Sequence, residues 1–141
     1  MTTDPRVGVA LPSGSAVRKT LPMATGVLDY FPAALAEVAK LSRFGNDKHN
    51  PGQPMHHSRG KSSDHADCIL RHLVDRGRPD PDMGGLSHSV AVAWRALALL
   101  QEELEATGAP MARGAWYDDD VIAVKESADS FTDHIRNCKG C

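Results

Sequence analysis

SVAVAWRALALL, residues 89–100, decides how the rest of the chain is read. It is apolar nearly all the way round a helical wheel, so a helix built from it must lie among other helices in a bundle. Ser87 stands where an N-cap belongs and Gly108 where a helix stops, which predicts a helix from about His88 to Thr107. One polar line interrupts it: His88, Arg95 and Glu102 recur every seven residues and share one side. An arginine in so apolar a helix requires an anionic partner, either a carboxylate of the same chain or a bound phosphate.

Two helices are expected upstream. The first runs from Pro32 to Phe44, with proline in the first turn, Gly45 at the left-handed C-terminal position and a buried stripe of Leu35, Val38 and Leu41. Glu37 lies beside that stripe, half-buried, and needs a cation or a donor. The second comes from KSSDHADCILRHLVD, residues 61–75, with Ser62 or Ser63 as N-cap and Gly77 as the stop. Ala66, Ile69, Leu70, Leu73 and Val74 give it a broad apolar face, while Asp64, Asp67, Arg71 and Asp75 form a polar line. That line admits two readings. Asp67–Arg71 and Arg71–Asp75 are i, i+4 pairs of the kind found on wet helix faces. Asp64 and Asp67 at i, i+3, facing a third carboxylate on another helix, would also suit a hard cation, with Arg71 and Lys48 holding phosphate at the rim.

Downstream, Val121, Val124, Ala128, Phe131 and Ile135 trace one apolar seam along a helix expected over Asp118 to Arg136. Between the helices lie the turn RPDPDMGG (78–85) and a long loop from Gly45 to Lys61 that carries His49, His56 and His57. Those three histidines match no common zinc-finger spacing. β-branched alternation is absent, so no strand is expected. The fold expectation is all-α: a bundle of about four helices completed by oligomerisation, with a flexible arm over 1–24, a helical core over 25–108, and a C-terminal helix and tail over 109–141.

A chain of 141 residues makes one domain, and 41% hydrophobic with 24% charged residues suits a globular protein. The net charge of −2 provides no basic field for a nucleic acid polymer or an anionic membrane. No apolar run has signal-peptide or membrane-spanning character, so the expected location is the cytoplasm. Cys138 and Cys141 form a single CxxC, read as a tail, and Cys68 has His65 and His72 a turn to either side but no feature that would activate it as a nucleophile. GxxxxGK[ST], HExxH and GxSxG do not occur.

Three runs carry a family resemblance: FPAALAEVAKLSRFGNDKHNPGQP (31–54), HHSRGKSSDHADCILRHLVDRG (56–77) and GGLSHSVAVAWRALALLQEELE (84–105). From about Arg18 to Glu105 the chain resembles the phage dATP/dGTP diphosphohydrolases, small relatives of the MazG-like all-α nucleotide pyrophosphohydrolases. The resemblance implies a homo-oligomeric enzyme, dimer or tetramer, that uses Mg²⁺ or Mn²⁺, more than one ion per site. Its substrate would be a purine (deoxy)nucleoside triphosphate, dGTP/GTP or dATP, cut to monophosphate and pyrophosphate in phage nucleotide metabolism. Carried over, Glu37, Asp64 and Asp67 are the catalytic metal ligands, and Lys48, Arg71, His72, His88 and Arg95 contact the substrate. The chain departs from the wider MazG-like pattern of EExxE and ExxD: Lys40 stands near Glu37 where a second acid is usual, and Ala91 follows His88. The alternative is a non-catalytic module that binds a nucleotide or a partner helix in the same groove, without metal-dependent turnover.

Overall fold

The computed structural model describes residues 10–117. Its frame is three helices: α2 (Pro32–His49), α3 (His65–Val74) and α4 (His88–Ala106), preceded by the single turn α1 (Ser15–Arg18). A π-helical turn, Ala24–Leu28, leads from α1 to α2 and packs against α2. Both α2 and α3 pack chiefly on α4, which therefore occupies the centre, as its apolar sequence requires. The all-α bundle is thus observed. The helix expected over 118–136 and the terminal cysteines lie outside the described residues.

The helix at the centre begins as expected. Ser87 caps it, its hydroxyl accepting from the Ser89 N–H at 3.1 Å, and it ends just before Gly108. Expectation and structure differ at α2, which continues through Gly45 to His49. Arg43 and Asp47 pair across that extra turn at 3.0 Å. Asn46, buried on the inner side, donates from its side chain to the Gln53 carbonyl at 3.0 Å and accepts from Asn50. These contacts outweigh the small helix cost of one interior glycine. The helix α3 begins later than expected, with Asp64 at the N-cap position and its carboxylate capping nothing.

The packing face of α3 also differs from the expected one. Leu70 is 63% and Val74 is 78% exposed, whereas His65 and Cys68 are buried. The physical reason is what α4 offers. Its polar line needs partners, and α3 turns its His65–Cys68–His72 edge toward that line rather than its leucines. The helices run antiparallel: His65, near the start of α3, meets Arg95 and Glu102, while His72, near its end, meets His88. Buried Ala91 and Ala98 lie between these polar contacts, and their small side chains let the helices approach closely.

A further difference is a short sheet. Residues β1 (His57–Ser58) and β2 (Ala115–Trp116) pair in parallel, His57 opposite Ala115 and Ser58 opposite Trp116. The amide of His57 donates to the Gly114 carbonyl and that of Arg59 to the Trp116 carbonyl. Two-residue strands leave no alternation to detect. Beside them Arg59, almost fully buried, grips Glu105 of α4 through both oxygens at 2.6 and 3.1 Å. Gln101 and the Ala112 amide complete the shell of that carboxylate at 2.8 and 3.1 Å. Among the described residues, no helix is long and apolar enough to cross a membrane.

The Arg59–Glu105 pair generates a stability prediction. Either Arg59→Ala or Glu105→Ala leaves one buried charge without its partner and should cost about 3–5 kcal/mol in urea unfolding. The double variant Arg59→Met/Glu105→Leu strands no charge and should recover much of that loss; equal losses in all three would rule out a stranded charge as the cause.

Candidate functional site

The polar line of α4 and the inner edge of α3 build one seam with two ends. At the first end stands Arg95, which donates to Ser62 Oγ at 2.7 Å and to His65 Nδ1 at 3.3 Å, with Asp64 Oδ1 at 4.0 Å. His65 turns its Nε2 to Glu102 at 2.5 Å. The partner that Arg95 demanded is therefore a set of its own chain's groups, Asp64 included. Arg71, further along α3, reaches back to Asp64 Oδ2 at 2.8 Å, and Ser62 donates to the same carboxyl at 2.9 Å. These hydrogen bonds, that from Arg71 first, hold the Asp64 carboxyl down at about 2, and the same contact raises Arg71 above the usual arginine range. This end thus presents an ionised carboxylate and two guanidiniums, with Asp64 and Arg71 open to solvent.

At the other end, His72 Nδ1 and His88 Nδ1 lie 2.8 Å apart, and Asp80 Oδ2 is 3.6 Å from His88 Nδ1. Burial, and then His88, push the His72 imidazole below its ordinary value. Asp80 comes from the turn between α3 and α4, and sequence reading did not single it out. The signal was present in RPDPDMGG, where an aspartate precedes a proline-initiated turn just ahead of the Ser87 cap.

The other expected site residues are less closely joined. Glu37 pairs with Lys40 on its own helix at 2.6 Å, and no hydrogen bond or ion pair links it to α3 among the described residues. Asp67 is exposed, one turn from Asp64, and its carboxylate makes no hydrogen bond or ion pair among them. The expected pairing of Arg71 with Asp67 and Asp75 is replaced by the pair with Asp64, and Asp75 instead lies 3.8 Å from Arg78. Lys48 is exposed on the last turn of α2, with its Nζ 6.0 Å from the centre of the Phe44 ring.

The loop histidines find separate partners. His56 stacks on Trp116 at 4.7 Å, and His57 meets the Trp94 ring edge-on at 5.0 Å. Trp94 in turn donates from Nε1 to Ser42 of α2 at 2.9 Å. Burial, reinforced by Arg59, lowers His57 to about 4.

A carboxylate–guanidinium corner on a small helical domain offers groups of the kind that bind phosphate oxygens and a hard cation. Residues 14–111 match the family model dATP/dGTP diphosphohydrolase, N-terminal, and the chain belongs to that family. The family is one of hydrolases that act on nucleoside triphosphates, as its name states. No curated protein and no solved structure matches the chain. The divalent cation that such chemistry implies wants several oxygen donors. Asp64 and Asp67 fit it in kind and in spacing, and Asp67 has its oxygens free of any other hydrogen bond or ion pair among the described residues. Glu37 fits in kind but is not joined to them within that range.

The lowered His57 sets a pH dependence. Between pH 6.5 and 4 the unfolded chain binds a proton at this ring that the folded chain refuses, so stability falls as pH falls through that window. Asp64, with its depressed value, adds its loss only further down, as pH drops below about 4. Urea unfolding at pH 7 and pH 5 should show a smaller acid loss in His57→Asn than in the unaltered chain; equal losses would remove His57 from the account.

Proposed function

We propose that this chain hydrolyses a purine deoxynucleoside triphosphate, dGTP (or GTP) or dATP, between its α- and β-phosphates, using Mg²⁺ or Mn²⁺. The observation that carries the reading is the corner at the start of α3, where Asp64 stands between Arg71 and Arg95, with Asp67 one turn along the same helix. Carboxylates hold a hard cation and guanidiniums hold phosphate oxygens, and a triphosphate–metal complex needs both within one reach. Asp64 and Asp67 would hold the cation, with Glu37 as the third carboxylate. When bound, the cation supplies charge neutralisation and acidifies water.

The chain's own groups account for the rest. Arg71, Arg95 and Lys48 bind the phosphate oxygens, and His72 and His88 line the seam beyond them. Glu37, once released from Lys40, would orient the attacking water and accept its proton. The water oxygen bonds to the α-phosphorus, the bond from that phosphorus to the bridging oxygen breaks, and pyrophosphate leaves with the bridging oxygen. Giving up its pairing with Asp64 frees Arg71 for the substrate, and Asp64 for the cation, in one movement.

The same reading includes a homo-oligomer. Leu97, Leu100 and Leu104 on α4 and Leu70 and Val74 on α3 are exposed. Apolar stripes of this extent favour burial against a further surface, and a second copy of the chain supplies one.

Three measurements test the proposal. A panel of ribo- and deoxynucleoside triphosphates, incubated with Mg²⁺ and with the product phosphates identified, should yield monophosphate and pyrophosphate from a purine substrate. Asp67→Ala should lower kcat/KM at least about a hundredfold while leaving the helical circular dichroism unchanged. Substrate binding without any turnover would instead favour a non-catalytic nucleotide module. Light scattering on the purified chain should give a dimer or tetramer mass, and a monomer mass would remove the oligomer from the reading.

A further inference from the structure

From the geometry of the far end of the seam we infer a second, separate metal site: His72, Asp80 and His88 form a three-donor site for a divalent transition-metal ion of the Zn²⁺ class. Their ligand atoms all lie within 4.8 Å of one another, and they are the group of metal-binding side chains so placed among the described residues. The inference stands apart from the nucleotide reading, because an ion held here requires no triphosphate.

The donor chemistry selects the ion. Two imidazole nitrogens and one carboxylate oxygen suit Zn²⁺ and its first-row neighbours, whereas Mg²⁺ demands oxygen ligands in octahedral array. Three protein donors also leave a four-coordinate ion one position for water or an anion. Ligands about 2.1 Å from one ion at the tetrahedral angle are about 3.4 Å apart. The pair His88–Asp80 already lies near that separation at 3.6 Å. The pair His72–His88, hydrogen-bonded at 2.8 Å, needs to open by about 0.6 Å to reach the tetrahedral separation.

The three donors come from three separately fixed pieces of backbone. His72 is on α3. His88 is the first residue of α4, its amide bonded to the Arg78 carbonyl at 2.9 Å. Asp80 heads the 3₁₀ turn Pro81–Met83: its Oδ1 accepts from the Asp82 N–H at 2.9 Å, which leaves Oδ2 to face His88. Its amide is tied to the Leu86 carbonyl at 2.8 Å, and its carbonyl accepts from Gly85 at 2.9 Å. Gly84 holds the turn at φ +66° under the ring of Phe44, where a Cβ would come within 3.1 Å of the ring. Donors placed in this way lose little freedom on binding.

One effect opposes the site. His88 lies at the positive end of the α4 dipole, which disfavours a cation. The buried Asp80 carboxylate offsets it with a full negative charge at closer range. Without an ion, His72 and His88 hydrogen-bond each other and Asp80 Oδ2 faces His88 at 3.6 Å, and the measurement must separate that arrangement from a metal site.

The test uses the full chain carrying Cys138→Ser and Cys141→Ser, so that the terminal thiols contribute nothing, and titrates it with Zn²⁺ by calorimetry after chelator treatment. One ion per chain is expected, not displaced by millimolar-scale Mg²⁺. Asp80→Asn keeps an oxygen for the Asp82 amide but removes the charge, and should weaken binding at least about tenfold. His72→Gln should do the same from the opposite helix, with circular dichroism establishing that both variants are folded. Absence of Zn²⁺ binding in the chain lacking Cys138 and Cys141 overturns the inference, as does binding left unchanged by both substitutions.

Discussion

Arg59 and Glu105 meet where water scarcely reaches, and the arrangement of the chain is set by satisfying them. Arg59 fixes the loop after α2, because its guanidinium is bidentate on the last turns of α4. Glu105 fixes the segment beyond α4, because it also accepts from the Ala112 amide. Burial alone would raise the Glu105 carboxyl, yet the hydrogen bonds from Arg59, Gln101 and Ala112 outweigh it and hold the group below the usual carboxylate range. The short strands pair because both segments are already anchored to that one carboxylate. Among the described residues the buried apolar side chains are few and small: Cys68, Val90, Ala91, Ala98 and Ala115. With so little large side-chain volume buried, orientation depends on polar contacts more than in a leucine-packed bundle.

The seam between α3 and α4 extends the same logic. Seven-residue spacing on both helices brings His65 to Arg95 and Glu102, and His72 to His88. Alanine and cysteine between them allow the close approach that hydrogen bonds of 2.5–3.3 Å require. The two ends then differ in character. One is open to solvent and combines carboxylates with guanidiniums. The other is enclosed and combines imidazoles with a carboxylate. A single helix pair thus presents hard oxygen donors at one end and nitrogen donors at the other.

How much of this was legible in the sequence depends on range. Helix α4 could be read almost to the residue, because its apolar stretch, the Ser87 cap and Gly108 are local signals that agree with each other. Its polar line His88–Arg95–Glu102 was legible for the same reason. The extra turn of α2 was not, because Gly45 reads as a stop until Asn46 and Asn50 find their partners in the loop. The inward face of α3 was misread because apolar periodicity selects Leu70 and Val74, and only the demand of α4 for polar partners selects His65 and His72. Asp80 could be read as a turn residue but not as a neighbour of His88, and the strand pair left no local signal, for a related reason. Each gains its meaning from a residue far away in the chain. Of the expected site, Asp64, Arg71 and Arg95 come together, as do His72 and His88, while Glu37 stays with Lys40 on α2.

The chain has two tryptophans, and both touch histidines of one short segment: Trp116 lies flat on His56, and Trp94 meets the edge of His57. Trp94 sits in the central helix and Trp116 in the strand that closes the far side, so the two indoles view the β1 segment from opposite elements. Indole emission responds to its nearest polar neighbours. The protein therefore carries its own optical gauge at the one place where the loop, the central helix and the returning chain are joined.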